Sequence, residues 1–141
     1  MYENTTENAY STLFFGEFDD STQRLRYANC GHPCALLLRS DSHFERLAST
    51  STVLGLSKDW ECGIEERRLF PDDLLVLYTD GVTESFNGQG EEFGEQRLVE
   101  VLRRSRGLSP QALLAAVVDQ LRRFNPREQA DDVTLIVAKC R

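Results

Sequence analysis

Apolar and polar positions alternate along this chain in blocks that read as strands first and helices afterwards. Residues 11–18, STLFFGEF, are aromatic and apolar with no polar face, which predicts a buried strand. Asp19-Asp20-Ser21-Thr22 has turn chemistry, and Arg24–Ala28 alternates Leu25 and Tyr27 against arginines, as a hairpin partner would. A Gly31-His32-Pro33 loop precedes a third strand at Ala35–Arg39, and Ser40-Asp41-Ser42 turns into a short strand at Phe44–Leu47. Residues 61–70 and 73–79 predict two further strands joined at Pro71-Asp72. The second of these, DLLVLYT, is apolar on both faces and belongs in the middle of a covered sheet.

The period then changes from two to 3.6. Leu98, Val101 and Leu102 mark one face of a helix from about Glu95 to Arg104. Ser109 caps a second helix with Pro110 at its first position; Leu113, Leu114, Val117, Val118, Leu121 and Phe124 recur at helical spacing, and Pro126 ends it. A last strand, VTLIVAK, has no polar face. This order predicts an α+β fold with helices over one face of a largely antiparallel sheet.

Composition narrows the function. The chain has 141 residues, 40% apolar and 28% charged, without repeats or low-complexity stretches, which suits one globular domain. A formal net charge of −7 argues against non-specific binding to nucleic acid or anionic membrane. No apolar run approaches the ~18 residues of a membrane span. MYENTTENAY has no basic flank, apolar stretch or cleavage site, so the expected location is the cytoplasm. Cys30, Cys34, Cys62 and Cys140 do not read as a disulfide framework. Cys30 and Cys34 bracket His32, which raises a zinc site, but a fourth ligand would have to come from Cys62 or Cys140 on strands far away in sequence. The plainer reading is small reduced thiols around a turn.

Two acidic motifs carry the candidate chemistry. Asp80 stands at the exit of one apolar strand, and Asp131 and Asp132 stand at the entrance of another. Antiparallel neighbours would bring the three carboxylates to one rim of the sheet. There they raise each other's proton affinity unless a cation intervenes. Oxygen ligands of this kind favour Mg²⁺ or Mn²⁺ over zinc. Taken singly, Asp-Gly is a common turn and Asp-Asp an ordinary solvated strand start.

The run YTDGVTES, GEEFGEQRL, a Ser-Pro-capped helix and QADDVTLIVAK resembles the C-terminal half of the SpoIIE/RsbU group of PPM-type protein serine/threonine phosphatases. AYSTLFFGEFD, LRYANCGHPCALLL and VLGL fit the same pattern upstream, so the resemblance runs from about Ala9 to Lys139. It implies an α–β–β–α sandwich, here incomplete at its N-terminal side, as a single partial domain over residues 1–141. It also implies two Mn²⁺ or Mg²⁺ ions at one sheet edge, where activated water attacks phosphoserine or phosphothreonine. Asp80 and Asp131 would then be metal ligands, and Asp132, where the superfamily often has Asn, would orient them. The implied partner is a phosphoprotein such as an anti-anti-sigma (STAS-type) factor.

The chain departs from that pattern in one respect. It contains no Gly-Asp-x-x-Asp segment, whose first Asp bridges both metals in complete relatives. FGEFDD, residues 15–20, is only superficially similar and ends at a hairpin turn. The expectation is therefore one weakly held ion or none, with little or no turnover by this chain alone. The alternative function is a non-catalytic phosphatase-like module for dimerisation or phosphoprotein binding. An uncovered apolar face and self-association, including a homodimer, are expected as well. His32 is expected to be structural, the 86–94 loop a connector or flap, and Arg103, Arg104 and Arg106 dipole partners at a helix end. Trp60 reads equally as a packing anchor or a contact.

Overall fold

The computed structural model describes residues 11–33, 35–51, 62–127 and 133–141. In chain order the elements are β1 (Leu13–Asp19), β2 (Arg24–Cys30), β3 (Ala35–Leu38), β4 (Phe44–Leu47), β5 (Glu65–Arg68) and β6 (Leu74–Tyr78), then α1 (Asp80–Thr83), α2 (Gly94–Ser105), α3 (Pro110–Phe124) and β7 (Leu135–Lys139). They form two sheets, ordered β1-β2-β5 and β4-β3-β6-β7. Every paired strand is antiparallel. Periodicity alone pointed to one sheet, because an alternating pattern does not tell a strand which partners it will find.

The layers follow from which side chains each strand turns inward. Leu25 and Tyr27 of the three-stranded sheet meet Ala35, Leu37 and Leu47 of the other, with Leu75 and Leu77 packed against them. The alternate residues of β3 and β6, Leu36, Leu38, Leu74, Val76 and Tyr78, face the opposite way. They pack on Leu98, Val101, Leu102, Leu113, Val117 and Leu121 from α2 and α3. Strand β6 is thus apolar on both sides because a sheet covers one and helices cover the other, as its sequence predicted.

The helices form where expected. Ser109 Oγ accepts the Ala112 N–H at 3.3 Å, Pro110 opens α3, and Asn125 closes it with its N–H on Leu121 O. Glycine at position 94 has φ +74, a left-handed conformation that lets the chain turn from the preceding loop into α2. That loop is held by Asn87 Oδ1, which accepts the N–H groups of Gln89 and Glu91.

Two strands differ from expectation. Strand β1 is not buried: Phe15 is 61% exposed and Leu13 43%, because β1 is an edge strand and none of the described residues lies over the outer face of its sheet. Strand β7, apolar throughout, is likewise an edge. Val133, Leu135 and Val137 reach the helix-side core, while Ile136 on the other side is 54% exposed. The three-stranded sheet stops short of it.

Arg103 and Arg106 do more than complement a helix dipole. Arg103 Nε donates to Ser42 O at 2.9 Å, and Arg106 Nη1 donates to Arg39 O at 2.7 Å and Ser42 Oγ at 3.1 Å. They bolt the end of α2 onto the β3–β4 turn. Cys34 and Trp60 lie outside the described residues, so the Cys30–His32–Cys34 grouping and the role of Trp60 are not addressed by the fold.

Candidate metal-binding rim

Strand β6 runs apolar to its end and then releases the chain into a single helical turn. Thr79 is extended, with φ −94 and ψ 163, and α1 begins at Asp80. Val82, fully buried, pins this turn to the core, and its N–H returns to Thr79 O at 3.0 Å. The N–H of Glu84 closes the turn on Asp80 O at 2.7 Å. With its backbone fixed this way, Asp80 projects an exposed side chain that makes no hydrogen bond or ion pair among the described residues. An unpaired carboxylate on a rigid backbone is a suitable hard-oxygen donor for a divalent cation.

Beside it the chain re-enters the sheet. Tyr78 pairs with Leu135, and one step further Thr79 N–H donates to Thr134 O at 3.1 Å while Thr134 N–H donates to Thr79 Oγ1 at 3.0 Å. The exit of β6 and the entrance to β7 therefore share one rim, the arrangement that antiparallel neighbours would give. Asp131 and Asp132 precede Val133 directly in sequence but lie outside the described residues. Among the described residues no group of three or more His, Cys, Asp or Glu side chains is placed to hold a metal ion. The Thr79–Thr134 stitch was not read from the sequence. Its only trace is a threonine just before Asp-Gly and another two residues after Asp-Asp.

His32 sits half-buried in a turn organised by Asn29, which is fully buried. Asn29 Oδ1 accepts the His32 N–H at 2.9 Å, and Asn29 Nδ2 donates to Leu47 O at 3.0 Å. A buried amide with both ends satisfied is a structural device, and the turn uses it to join β2 to β4. The FGEFDD stretch closes the β1–β2 hairpin, where Asp19 Oδ1 accepts both the N–H and the hydroxyl of Ser21. Those hydrogen bonds hold the Asp19 carboxyl below its usual range.

Two antiparallel sheets with helices on one side have the architecture of PP2C-type phosphatase domains. The SiaA-PP2C domain of Pseudomonas aeruginosa superposes with a TM-score of 0.74 at 21% identity, covering 86% of this chain and 48% of that one. The manganese-presoaked phosphatase domain of SpoIIE from Bacillus subtilis gives 0.67 at 20% identity, covering 92% and 56%. The family model for Stage II sporulation protein E (SpoIIE) matches residues 1–141, and the chain belongs to this family. Protein IcfG of Synechocystis sp. is 33% identical over 127 residues, 90% of this chain and 20% of IcfG. Phosphoserine phosphatase RsbU of Bacillus subtilis is 30% identical over 140 residues, 97% of this chain and 41% of RsbU. The chain thus spans less than half the length of these two relatives.

Proposed function

We propose that this chain supplies part of the metal site of a protein serine/threonine phosphatase that acts on a phosphorylated signalling protein, such as a STAS-type anti-anti-sigma factor. In this reading residues 1–141 form a single partial PPM-type domain in the cytoplasm. Asp80 and Asp131 ligate Mn²⁺ or Mg²⁺, and Asp132 orients them. The observation that supports it most is the Thr79–Thr134 pair, which sets the unpaired Asp80 beside the point where the Asp-Asp segment leads into β7. The phosphoserine phosphatase activity in the name of RsbU and the manganese-presoaked SpoIIE domain point the same way.

A bound divalent cation would lower the pKa of water and offset charge developing on a phosphoryl group. This chain's own contribution is positional. Val82 and the α1 turn hold Asp80 on rigid backbone beside the entrance to β7. With no Gly-Asp-x-x-Asp segment in these 141 residues, two ligating carboxylates face the charge of two divalent ions. Weak occupancy by one ion follows.

Calorimetric titration with Mn²⁺ tests the reading. Weak binding to a single site is expected, and Asp80→Asn or Asp131→Asn should each weaken it by more than about tenfold, since affinity follows ligand charge and number. Turnover of a phosphoserine peptide by the chain alone should be slight. Binding indifferent to both substitutions would overturn the ligand assignment, and brisk manganese-dependent turnover would show that the absent bridging carboxylate is dispensable.

A further inference from the structure

Cys30 and Cys62 are 32 positions apart in sequence but neighbours in the fold. Strands β2 and β5 pair in the register Arg24↔Arg68, Leu25↔Arg67, Arg26↔Glu66 and Tyr27↔Glu65. Continued in step, that register points Cys62 toward Cys30, but Cys30 makes its bridge to Ser51, so the two cysteines are not directly paired and come together only through their side chains.

The ladder itself gives way just before that point, and two hydroxyl residues carry the pairing onward. Asn29 O accepts the N–H groups of Thr50 at 2.8 Å and Ser51 at 3.1 Å. On the other side Thr50 Oγ1 donates to Gly63 O at 2.7 Å, and Gly63 N–H donates to Ser51 Oγ at 2.7 Å. Asn29-Cys30 and Cys62-Gly63 are thereby tied to the same two residues. Both cysteines line one hollow of about 300 Å³ on the outer face of the three-stranded sheet, together with Leu13, Phe15, Ala28 and Ile64. Cys62 lies close enough to Cys30 to act on its thiol.

We propose that Cys30 and Cys62 are a modification site, a dithiol that closes reversibly to a disulfide by exchange with a low-molecular-weight disulfide. The two thiols differ in the way such a reaction needs. Cys30 is buried and Cys62 exposed. Burial first, and the adjacent Cys62 second, push the Cys30 thiol above its ordinary range, so at neutral pH it stays protonated and Cys62 reacts first. The Cys62 thiolate attacks one sulfur of the small disulfide, breaking its S–S bond and releasing one small thiolate, which takes up a proton. Cys30 then gives up its proton to solvent and attacks Cys62 Sγ, expelling the second small thiol. Two protein thiols are oxidised and one small disulfide is reduced to two thiols. The contrasting cysteine is Cys140, whose Sγ lies against Gln23 Oε1 at 3.7 Å, at the opposite end of β2.

Incubating the reduced full-length chain with glutathione disulfide, in the presence of a metal chelator, tests this independently of any phosphatase activity. Intact mass should fall by two hydrogens with no glutathione retained, and a digest should yield one peptide pair linked through Cys30 and Cys62. The thermal midpoint should rise and return on addition of dithiothreitol. Cys62→Ser, at an exposed position, should fold, lose the cross-link and show no dithiothreitol-reversible rise. Stable glutathione on Cys62 with Cys30 still reduced would overturn the proposal, as would a link from Cys62 to Cys34 or Cys140, or a covalent dimer.

Discussion

Tyr27, packed between the two sheets, sets a pH limit on the fold. Its ring is 1% exposed and stacks on Phe14 at 5.7 Å between centroids, while its hydroxyl donates to Glu65 Oε2 at 3.0 Å. Burial first, then that hydrogen bond, raise its pKa. A group whose folded pKa lies above its unfolded value contributes its full stability below the unfolded value, about 10 for tyrosine. The contribution then drains away as pH rises through the folded pKa. Tyr27→Phe should therefore cost about 1 kcal/mol at neutral pH, the net worth of a hydrogen bond. It should also flatten the alkaline fall in stability. Urea midpoints of the two proteins between neutral pH and pH ~11 would check both. Cys30 and Cys140, whose thiols burial also pushes up, titrate in either protein, so the difference isolates Tyr27. The exposed position of Asp80 at the exit of β6 was legible at this scale because Asp-Gly ends an otherwise apolar strand. The buried Asn29 was not, since a short polar side chain in a turn looks the same in sequence whether it is solvated or enclosed.

Among the elements, α3 was almost wholly legible, as local rules fix it: a serine cap, proline at the first turn and apolar residues at helical spacing. Strands β1 and β7 were misjudged for the opposite reason, because a strand's burial depends on what the rest of the fold lays over it. The link from β2 to β5 rests on a packing detail that no pattern reveals. A Cβ added at Gly63 would come within 2.6 Å of Thr50 O, a backbone atom that cannot swing aside. Gly63→Ala should therefore displace the Thr50–Ser51 wedge and destabilise the chain by about 1–3 kcal/mol, the usual penalty for overpacking. Urea unfolding would measure it. A cost within error of zero would mean the wedge carries no load.

For the molecule as a whole, the outer side of the three-stranded sheet carries exposed apolar side chains among the described residues. Leu13, Phe15 and Ile64 stand there at 43%, 61% and 59% exposure. Contiguous apolar surface of this kind binds amphiphilic dyes. The folded chain should enhance anilinonaphthalene sulfonate fluorescence, and Phe15→Ser should reduce that signal severalfold without altering the circular dichroism spectrum. An unchanged signal would locate the dye elsewhere.

The start of β6 is held by a dense set of hydrogen bonds. At its start, Asp73 is 1% exposed and accepts from Arg39 Nη1 at 2.8 Å, Ser40 N–H at 3.1 Å and Phe70 N–H at 2.9 Å. Arg39 also pairs with Glu45, Arg106 grips the neighbouring turn, and Lys139 Nζ donates to Arg106 O at 3.2 Å. Both sheets and α2 are riveted together there. At the far end, Thr79 and Thr134 are joined by two hydrogen bonds beside Asp80. Removing the Asp73 carboxylate should accordingly strand Arg39 and two backbone N–H groups together, so that one substitution loosens several elements at once.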